Sequence, residues 1–398
     1  MILKTHGRLS TTILTTEGWI TYSRNVLYPK TTADRKRLME LENHKSVVPL
    51  DMALGIDGLP FKVTPAMMLN LTKSAILYDS YEEVETHYKE DWNIEISDDL
   101  IREIVDYVGA IVWAEDCRQA KSAFDAYDPT TPLFNVSERE AGTLYIEMDG
   151  AMFNTRVSKD GSTWRENKLA LVYNSKHVVH RVNKNGNDDY KILEREYIGY
   201  VGTVDEFKKH LVALCIRNNC ERVKDVVILS DGATWIKNLK DEMFPCAEQI
   251  LDLYHLKENV GKFAVYIFHN DKTKYSTWSD RICGMLENGE WQEVLKELAP
   301  YKDKKYPLGV PNLYKYIWNH RDCINYPRYR RRGWIVGSGA IESGNKTVLQ
   351  ERLKLPGMRW DINKAQGVIA LRAKYKSNMW NTYVVPLVTE RILSEDAS

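Results

Sequence analysis

The chain opens with β-type alternation and then changes to helical periodicity. Residues 8–28 contain two β-rich runs separated by Glu17-Gly18, a pattern that predicts a hairpin. After Pro65 the apolar positions recur at the 3.6-residue spacing of helices, and Ser80 stands where a helix cap is expected. The sequence therefore predicts an N-terminal hairpin followed by a helical region.

Two of the predicted helices have the spacing of a DNA-reading motif. They are joined by residues 93–96, which is short enough for a helix-turn-helix. Residues 79–106, however, hold eleven acidic residues against Lys89 and Arg102, and that charge suits a phosphate backbone badly. Packing of the two helices in a core explains the same pattern, so both interpretations stay open.

Beyond residue 130 the pattern changes to strands that alternate with helices. Residues 128–132 are typical of a linker, and two turn signals follow at Asp160-Gly161 and Asn185-Gly186. The continuous apolar run 226–229 is typical of a strand buried on both faces, and helices are predicted on either side of it. This order predicts an α/β domain with a mixed sheet.

Two strands of this sheet end in the same dipeptide, Asp149-Gly150 and Asp231-Gly232. In open α/β sheets ligand sites gather at strand ends, and glycine lets other groups approach the backbone closely. Two carboxylates on neighbouring strand ends repel each other, which favours a bound divalent cation. The alternative is that each aspartate only caps the turn that follows it.

A third acid, Glu342, follows Gly337-Ser338-Gly339, which predicts the start of a helix. A glutamate in a first helical turn also complements the helix dipole. Residues 321–376 contain thirteen Lys and Arg against four acidic residues, although the whole chain has 55 of each sign. Basic residues interleaved with aromatic ones suit a nucleic-acid backbone and unpaired bases; a solvated basic face is the alternative.

Composition excludes several classes of protein. With 43% hydrophobic and 28% charged residues the chain is an ordinary globular one. It has no apolar run of about 20 residues and no signal-peptide core at its start, so we expect no membrane partner and a cytoplasmic location. Six cysteines without a Cys-x-x-Cys pair favour reduced thiols over a disulfide scaffold or a zinc ribbon.

Four motifs, in this order, resemble those of the DDE transposases of bacterial insertion sequences, in the mutator-like branch that includes the Kra-type and Lre-type elements. They lie at residues 144–150, 229–236, 244–255 and 337–343, and the resemblance covers residues 8–376. It implies an RNase H-like fold with Asp149, Asp231 and Glu342 as a metal-binding catalytic triad. Asp252 and His255 match the Asp-x-x-His signature near the triad; local bonding at a helix start is the alternative for His255.

The resemblance also implies a domain arrangement. We expect a hairpin and linker region at 1–62, a helical and possible helix-turn-helix region at 63–128, an RNase H-like catalytic domain at 135–268 plus 334–380, and an α-helical insertion domain at 269–333. Many relatives carry an N-terminal zinc module rich in cysteine, whereas no cysteine precedes Cys117. This departure leads us to expect a truncated copy or a different recognition of DNA ends.

The activity implied by the resemblance is two-metal phosphoryl transfer on DNA. Two Mg²⁺ or Mn²⁺ ions would lie about 3.5–4 Å apart, with Asp149 bridging both, Asp231 holding one and Glu342 the other. Hydrolysis would free a 3′-hydroxyl at the transposon end, and that hydroxyl would attack target DNA. Double-stranded DNA ends, target DNA and a second copy of the chain are the implied partners, with nucleoid association while the protein is bound to DNA.

Basic and aromatic residues late in the chain are the predicted DNA contacts. Those expected to hold phosphates are Arg330, Arg331, Arg332, Lys346, Arg352 and Lys354, and Trp360 is expected to stack on a flipped or frayed base. Three other functions stay open: a related nuclease that cuts without joining, a catalytically silent DNA-binding protein descended from a transposase, and a purely structural helical protein.

Overall fold

The computed structural model of the chain describes residues 2–42, 46–127, 140–157, 161, 163–182 and 188–395. The predicted linker at 128–132, the predicted turn at Asn185-Gly186 and Asp160 of the other predicted turn lie outside these residues. The described part is mixed α/β with a five-stranded mixed sheet, which confirms the predicted class. None of its helices combines the length and the apolar character needed to cross a membrane.

The described residues form nine strands and sixteen α-helices. The strands are β1 (Leu3–Thr15), β2 (Gly18–Pro29), β3 (Glu140–Asn154), β4 (Trp164–Asn174), β5 (Val178–Val182), β6 (Asp188–Ile192), β7 (Glu196–Val201), β8 (Val223–Ser230) and β9 (Glu248–Leu251). The helices are α1 (Thr32–Glu42), α2 (Pro49–Ala53), α3 (Pro65–Ala75), α4 (Tyr81–Trp92), α5 (Asp98–Asp125), α6 (Val204–Arg217), α7 (Thr234–Met243), α8 (Leu253–Ile267), α9 (Lys272–Glu287), α10 (Trp291–Leu298), α11 (Leu313–His320), α12 (Tyr326–Arg331), α13 (Gly339–Gly344), α14 (Glu351–Leu353), α15 (Ile362–Lys376) and α16 (Val385–Glu395).

The chain divides into two compact units. Unit 1 comprises Met1–Arg118, Phe153–Arg165 and Thr347–Ser398, and unit 2 comprises Gln119–Met152 and Glu166–Lys346. Residues 334–380 were predicted to belong to the catalytic domain as one segment. The boundary between the two compact units instead falls inside this segment, between Lys346 and Thr347. The basic residues predicted to bind DNA are therefore shared between the two units.

Unit 1 begins with the predicted hairpin. Strands β1 and β2 pair antiparallel, with Leu3 opposite Pro29 and Thr15 opposite Gly18. Gly18 has a φ of 99°, a conformation that suits glycine and closes the turn. Helix α4 begins as predicted, because the Ser80 side chain accepts a hydrogen bond from the backbone N–H of Glu83 at 3.0 Å. Helices α4 and α5 confirm the predicted helices, and their role in reading DNA stays a prediction.

Two helices of unit 1 approach each other through glycine. A Cβ atom added to Gly109 of α5 would lie 3.1 Å from the Cα of Gly367 in α15, and the reverse distance is 3.2 Å. The backbones of the two helices are therefore in direct contact at this point. Around it, apolar side chains of α3, α5 and α15 are buried, among them Leu71, Val105 and Ile369.

Unit 2 is built on the five-stranded sheet, whose strand order is β7-β4-β3-β8-β9. Strands β4 and β7 are antiparallel, while β8 lies parallel to both β3 and β9. Residues 190–201 do not form one strand, because β6 ends at Ile192 and β7 begins at Glu196. The backbone N–H of Leu193 donates to the carbonyl of His177 at 2.8 Å, which extends the pairing of β6 with β5. Strand β6 consequently pairs with β5 in a separate ribbon.

The core of unit 2 lies between this sheet and the helices α6 and α7. Ile146 and Ile228 on adjacent strands are fully buried in one cluster with Leu211 of α6 and Ile236 of α7. Burial of each such side chain contributes about 1.5–3 kcal/mol. Helix α6 is capped by Thr203, whose side chain accepts from the backbone N–H of Glu206 at 3.3 Å. Packing against α6 and α7 thereby fixes the positions of the strands.

We predict that Gly367→Ala destabilises the protein by about 1–3 kcal/mol, because the added methyl group overlaps the backbone of α5. Gly284→Ala is the matched control: a Cβ at Gly284 meets nothing within 4 Å, so alanine in this helix should stabilise by about 0.5–1 kcal/mol. Urea unfolding of both variants measures the two changes. Equal stability of the Gly367→Ala and wild-type proteins would contradict the close approach.

Candidate active site

Asp149 and Asp231 lie at the same edge of the sheet. In the parallel pair β3 and β8, Glu147 is opposite Leu229, and each aspartate lies two residues further along its strand. The side chains are close enough to interact: burial and, less strongly, the charge of Asp231 raise the pKa of Asp149, which the hydrogen bond from Gly150 partly offsets. The prediction that a strand ends at Asp149-Gly150 is wrong, because β3 continues to Asn154. Asp231 directly follows the end of β8 as predicted, and the parallel register of β3 and β8 brings it beside Asp149.

Both aspartates accept hydrogen bonds from neutral groups. Asp149 accepts from the backbone N–H of Gly150 at 2.7 Å and from the side-chain amide of Asn345 at 2.6 Å. Asp231 accepts from the backbone N–H of Ala233 at 2.9 Å, so it also caps its turn. In the described part of the chain neither carboxylate forms an ion pair with a basic side chain.

Glu342 lies in the first turn of α13, as predicted. Its side chain is 54% exposed, and its Oε1 lies 3.5 Å from Nε2 of His255. The other ring nitrogen of His255 lies 3.6 Å from Glu258. The imidazole therefore stands between two carboxylates and faces Glu342.

The start of α13 is fixed by two buried carboxylates. Asp252 accepts from both the backbone N–H and the hydroxyl of Ser338, the latter at 2.5 Å. Glu147 accepts from the backbone N–H of Ile341 at 2.8 Å. Both acids are fully buried. Because Ile341 directly precedes Glu342, these bonds determine where the Glu342 backbone lies.

Asp252 also begins the helix that carries His255. Its second oxygen accepts from the backbone N–H of His255 at 2.7 Å, which caps α8. One carboxylate thus joins the starts of α8 and α13. The local interpretation of His255 is correct for its backbone, while its imidazole lies beside Glu342. The Asp-x-x-His spacing allows both arrangements at once.

Glu147 is a site residue for which the sequence predicted no role. Besides Ile341 it contacts the hydroxyl of Tyr173, which donates to it at 2.7 Å. Burial raises the pKa of Glu147 to about 7, although these two hydrogen bonds oppose the shift. An acid two residues before Asp149, in an otherwise apolar strand, was the signal that could have identified it.

Helix α11 supports the turn that carries Asp231. The hydroxyl of Tyr316 donates to the carbonyl of Asp231 at 3.0 Å, and a ring nitrogen of His320 lies 3.0 Å from the carbonyl of Gly232. Gly232 has a φ of 93°, and an added Cβ would lie 2.6 Å from the His320 ring. A residue with a side chain would disturb this contact.

The basic residues predicted in unit 2 differ in how freely they can act. Arg330 pairs with Glu287 at 2.6 Å, and Arg332 lies 3.5 Å from Asp225. Arg331 and Lys346 are exposed and form no ion pair in the described part of the chain. Lys346 directly follows Asn345, the partner of Asp149.

A cleft of about 900 Å³ lies beside this arrangement. Its walls include Glu147, Tyr254 and Ser343, the last being the neighbour of Glu342. Lys257 and Arg330 line it as well, and both pair with Glu287. The cleft therefore contains two cations with their shared partner Glu287, and its lining adjoins Glu342 through Ser343.

The remaining predicted DNA contacts, Arg352, Lys354 and Trp360, belong to unit 1. Lys354 is exposed. Arg352 is only 1% exposed, and its Nε donates to the carbonyl of Ala75 at 3.0 Å. The prediction that Arg352 holds a phosphate directly does not fit this burial, because the guanidinium is enclosed by protein.

The candidate site has atoms of the type that bind a divalent ion, but they do not form a complete ligand set as they lie. As the side chains lie, no three His, Cys, Asp or Glu residues of the described chain are grouped closely enough to hold a metal. The available donors are nevertheless oxygens, which Mg²⁺ and Mn²⁺ prefer. The Oδ1 atom of Asn345, beside Asp149, is buried without a hydrogen-bond partner. Asp149, Asp231 and Asn345 fit such an ion in chemical type, while Glu342 is turned toward His255.

The sequence model of UPF0236, described as an uncharacterised protein family, matches residues 4–378. No curated protein matches the chain.

We predict that Glu147 makes the metal-free protein less stable as the pH rises. The pKa of Glu147 is about 7 in the folded protein against 4.5 when free, so the folded state binds the proton more tightly. Its contribution is present below pH 4.5 and is lost as the pH rises through 7, a change of about 3 kcal/mol. Urea unfolding with chelator at pH 4.5 and 7.5 measures it.

Glu147→Gln is the control for this prediction, because the amide has the shape of the protonated acid and cannot ionise. The difference in unfolding free energy between the two pH values should be smaller in this variant by the same amount. Identical pH dependence of the variant and the wild-type protein would contradict the assignment.

Proposed function

The chain belongs to UPF0236, an uncharacterised protein family, and we propose that it is a metal-dependent DNA transposase of the DDE type. The observation that carries the proposal is the pair Asp149 and Asp231, which lie side by side at one sheet edge without a cationic partner in the described chain. Glu342 is the third proposed catalytic residue. Its backbone is held next to the pair by Glu147 and Asp252.

An RNase H-like core is the fold that we propose for unit 2. Strands β3, β4 and β7 form one side of the sheet, with the β5–β6 ribbon inserted between β4 and β7, and two parallel strands separated by a helix extend the other side. The pair Asp149 and Asp231 lies where these two halves meet. In open α/β sheets this is the position where ligands bind, since the connections diverge there.

Asp149 and Asp231, with Asn345, would hold divalent cations, and Glu342 would complete the set. Bound Mg²⁺ lowers the pKa of a coordinated water and stabilises charge on attacking and leaving oxygens of a phosphodiester. The protein's part is to hold these oxygens in place. Asn345 orients Asp149, and the bond from Tyr316 fixes the turn at Asp231.

His255 would act as a positioning residue for Glu342. Its Nε2 atom faces the Glu342 carboxylate, and Asp252 fixes the start of the helix on which it stands. This contact would keep the Glu342 carboxylate beside the start of α8. The Asp-x-x-His signature thereby links the two helices that meet at the site.

The cleft beside Glu342 is the proposed path for DNA. Arg330 and Lys257 border it, and Arg331 and Lys346 are free to pair with phosphates. Basic side chains of this kind supply sequence-independent attraction to a nucleic-acid backbone. Two DNA ends must be held together for transposition, so the proposal includes a dimer or larger assembly on DNA.

We predict that Asp231→Asn and Glu342→Gln each abolish Mg²⁺-dependent cleavage of DNA that carries the element's ends. Loss of one carboxylate from such a site removes transition-state stabilisation, while the basic contacts remain. Cleavage should fall by at least about 10³-fold and the Kd for DNA should change less than about threefold. Gel assays of cleavage and fluorescence anisotropy measure the two quantities.

A pre-nicked substrate with a free 3′-hydroxyl separates the candidate activities. Joining of that end to a second duplex supports a transposase, and cleavage without joining indicates a nuclease. Binding to a defined repeat with no Mg²⁺-dependent reaction would indicate a silent DNA-binding protein. Full cleavage by either carboxylate variant would reject the site.

We predict that Asp252→Ala lowers the cleavage rate about 10–100-fold, the usual range for residues that orient metal ligands. The substitution removes the acceptor for Ser338 and His255 and frees the start of α13. The Mg²⁺ concentration that gives half-maximal cleavage should rise as well. Ser338→Ala is the matched control: it removes the hydroxyl bond and keeps the backbone bond, so its effect should be smaller. Equal effects of both substitutions would contradict this role.

A further inference from the structure

A second cleft, formed by residues of unit 1 alone, has a volume of about 440 Å³. Its lining combines aromatic and charged side chains. The residues are Tyr81, Arg102, Asp106, Arg156, Met358, Arg359, Trp360, Asp361 and Lys364. Four of them are cations and two are acids, so the cleft has a positive balance in a chain that is neutral as a whole.

The two acids of the cleft are already engaged. Asp106 accepts from Lys364 at 2.5 Å. Asp361 caps α15 by accepting from the backbone N–H groups of residues 363 and 364. Arg156 and Arg359 are exposed and have no ion-pair partner among the residues that the structure describes. Two guanidinium groups thus remain for a ligand.

A buried cation lies directly behind the lining. The guanidinium carbon of Arg352 is 4.6 Å from the ring centroid of Tyr81 and 5.1 Å from that of Trp360. One of its nitrogens contacts the sulfur of Met358 at 3.9 Å. No carboxylate of the described chain pairs with Arg352, and burial lowers its pKa. Its positive charge is only weakly screened by solvent at this depth.

Three polar atoms at this place are buried without a hydrogen-bond partner. They are the hydroxyl of Tyr81, Nε1 of Trp360 and Nη2 of Arg352. All three can donate, and the two nitrogens can only donate. Buried polar groups are nearly always paired in native proteins. Three unpaired donors behind the lining, none offset by an acceptor of the described chain, add to the positive potential at this cleft.

The backbone holds the free arginines in a fixed relation. The N–H of Arg156 donates to the carbonyl of Trp360 at 2.9 Å, and the N–H of Trp360 donates to the carbonyl of Asn154 at 3.2 Å. Arg359, adjacent to Trp360, is thereby kept beside Arg156. A ligand that binds both side chains orders little further backbone, which favours affinity.

We propose that this cleft binds a phosphate group of a nucleic-acid strand. A phosphodiester brings negative charge together with several acceptor oxygens, and guanidinium groups match this arrangement in charge and shape. Arg156 and Arg359 make the direct contacts, and Arg352 acts through the field behind Tyr81 and Trp360. The proposal rests on the proposed function only in taking DNA as the source of the phosphate.

The test is equilibrium binding of a fluorescein-labelled 20-base-pair duplex to the full chain with Arg156→Ala, Arg359→Ala and both together. Every protein also carries Asp231→Asn, and the buffer contains a chelator, so cleavage of the duplex does not affect the measured Kd. Each substitution should raise the Kd about 5–10-fold at low salt and reduce the slope of log Kd against log salt by about one. Arg8→Ala and Arg37→Ala are the controls, since both arginines are exposed in the same unit.

A double variant with the Kd and salt slope of the control proteins would overturn the proposal. Calorimetry with inorganic phosphate distinguishes the sources of the ligand. Phosphate binding that the double variant loses, combined with unchanged duplex binding, indicates a free phosphate ligand and rejects the nucleic-acid assignment. Failure of the wild-type protein to cleave DNA would reject the proposed function, yet leave this result as it stands.

Discussion

The position of Glu342 depends on two carboxylates that water cannot reach. Glu147 in strand β3 and Asp252 after strand β9 both accept hydrogen bonds from backbone N–H groups at the start of α13. An unpaired buried carboxylate is costly. The N–H groups at the start of α13 therefore stabilise the two acids, and the two acids in turn position the start of α13. Asp149 is two residues from Glu147 and His255 is three from Asp252. The same pair of contacts therefore relates Asp149, Glu342 and His255 to one another.

Local patterns predicted the elements of the site better than they predicted its partners. Asp231-Gly232 after a strand and Gly-Ser-Gly before Glu342 are signals that lie within a few residues, and the structure has the expected strand end and helix there. The strand end predicted at Asp149-Gly150 is wrong, because β3 continues to Asn154. Glu147 was not assigned a role because its partner Ile341 is 194 positions away. Arg352 was assigned to the surface because of its charge, while its burial depends on Ala75 and Tyr81, far earlier in the chain.

The long segment between Asp231 and Glu342 has a structural part in the site. Its helix α11 contacts the turn after β8 through Tyr316 and His320, and Tyr326 donates to the carbonyl of Leu251 at the end of β9. Two strand ends are thus supported by the segment that the sequence suggested only as an insertion. These bonds use backbone carbonyls, so the residue types at the supported positions do not reveal them. Gly232 is the exception, because the His320 ring leaves no room for a side chain there.

The charge distribution implies an order of events for the proposed activity. Asp149 and Asp231 have neutral partners only, and a phosphodiester that approached them as they stand would meet two like charges. The attraction from Lys257 and Arg330 at the cleft cannot remove this repulsion, because Coulomb energy at close range outweighs that at longer range. Neutralisation of the carboxylates by a cation must therefore precede close approach of the DNA. Burial is the main cause of the raised pKa of Asp149, and the charge of Asp231 adds to it.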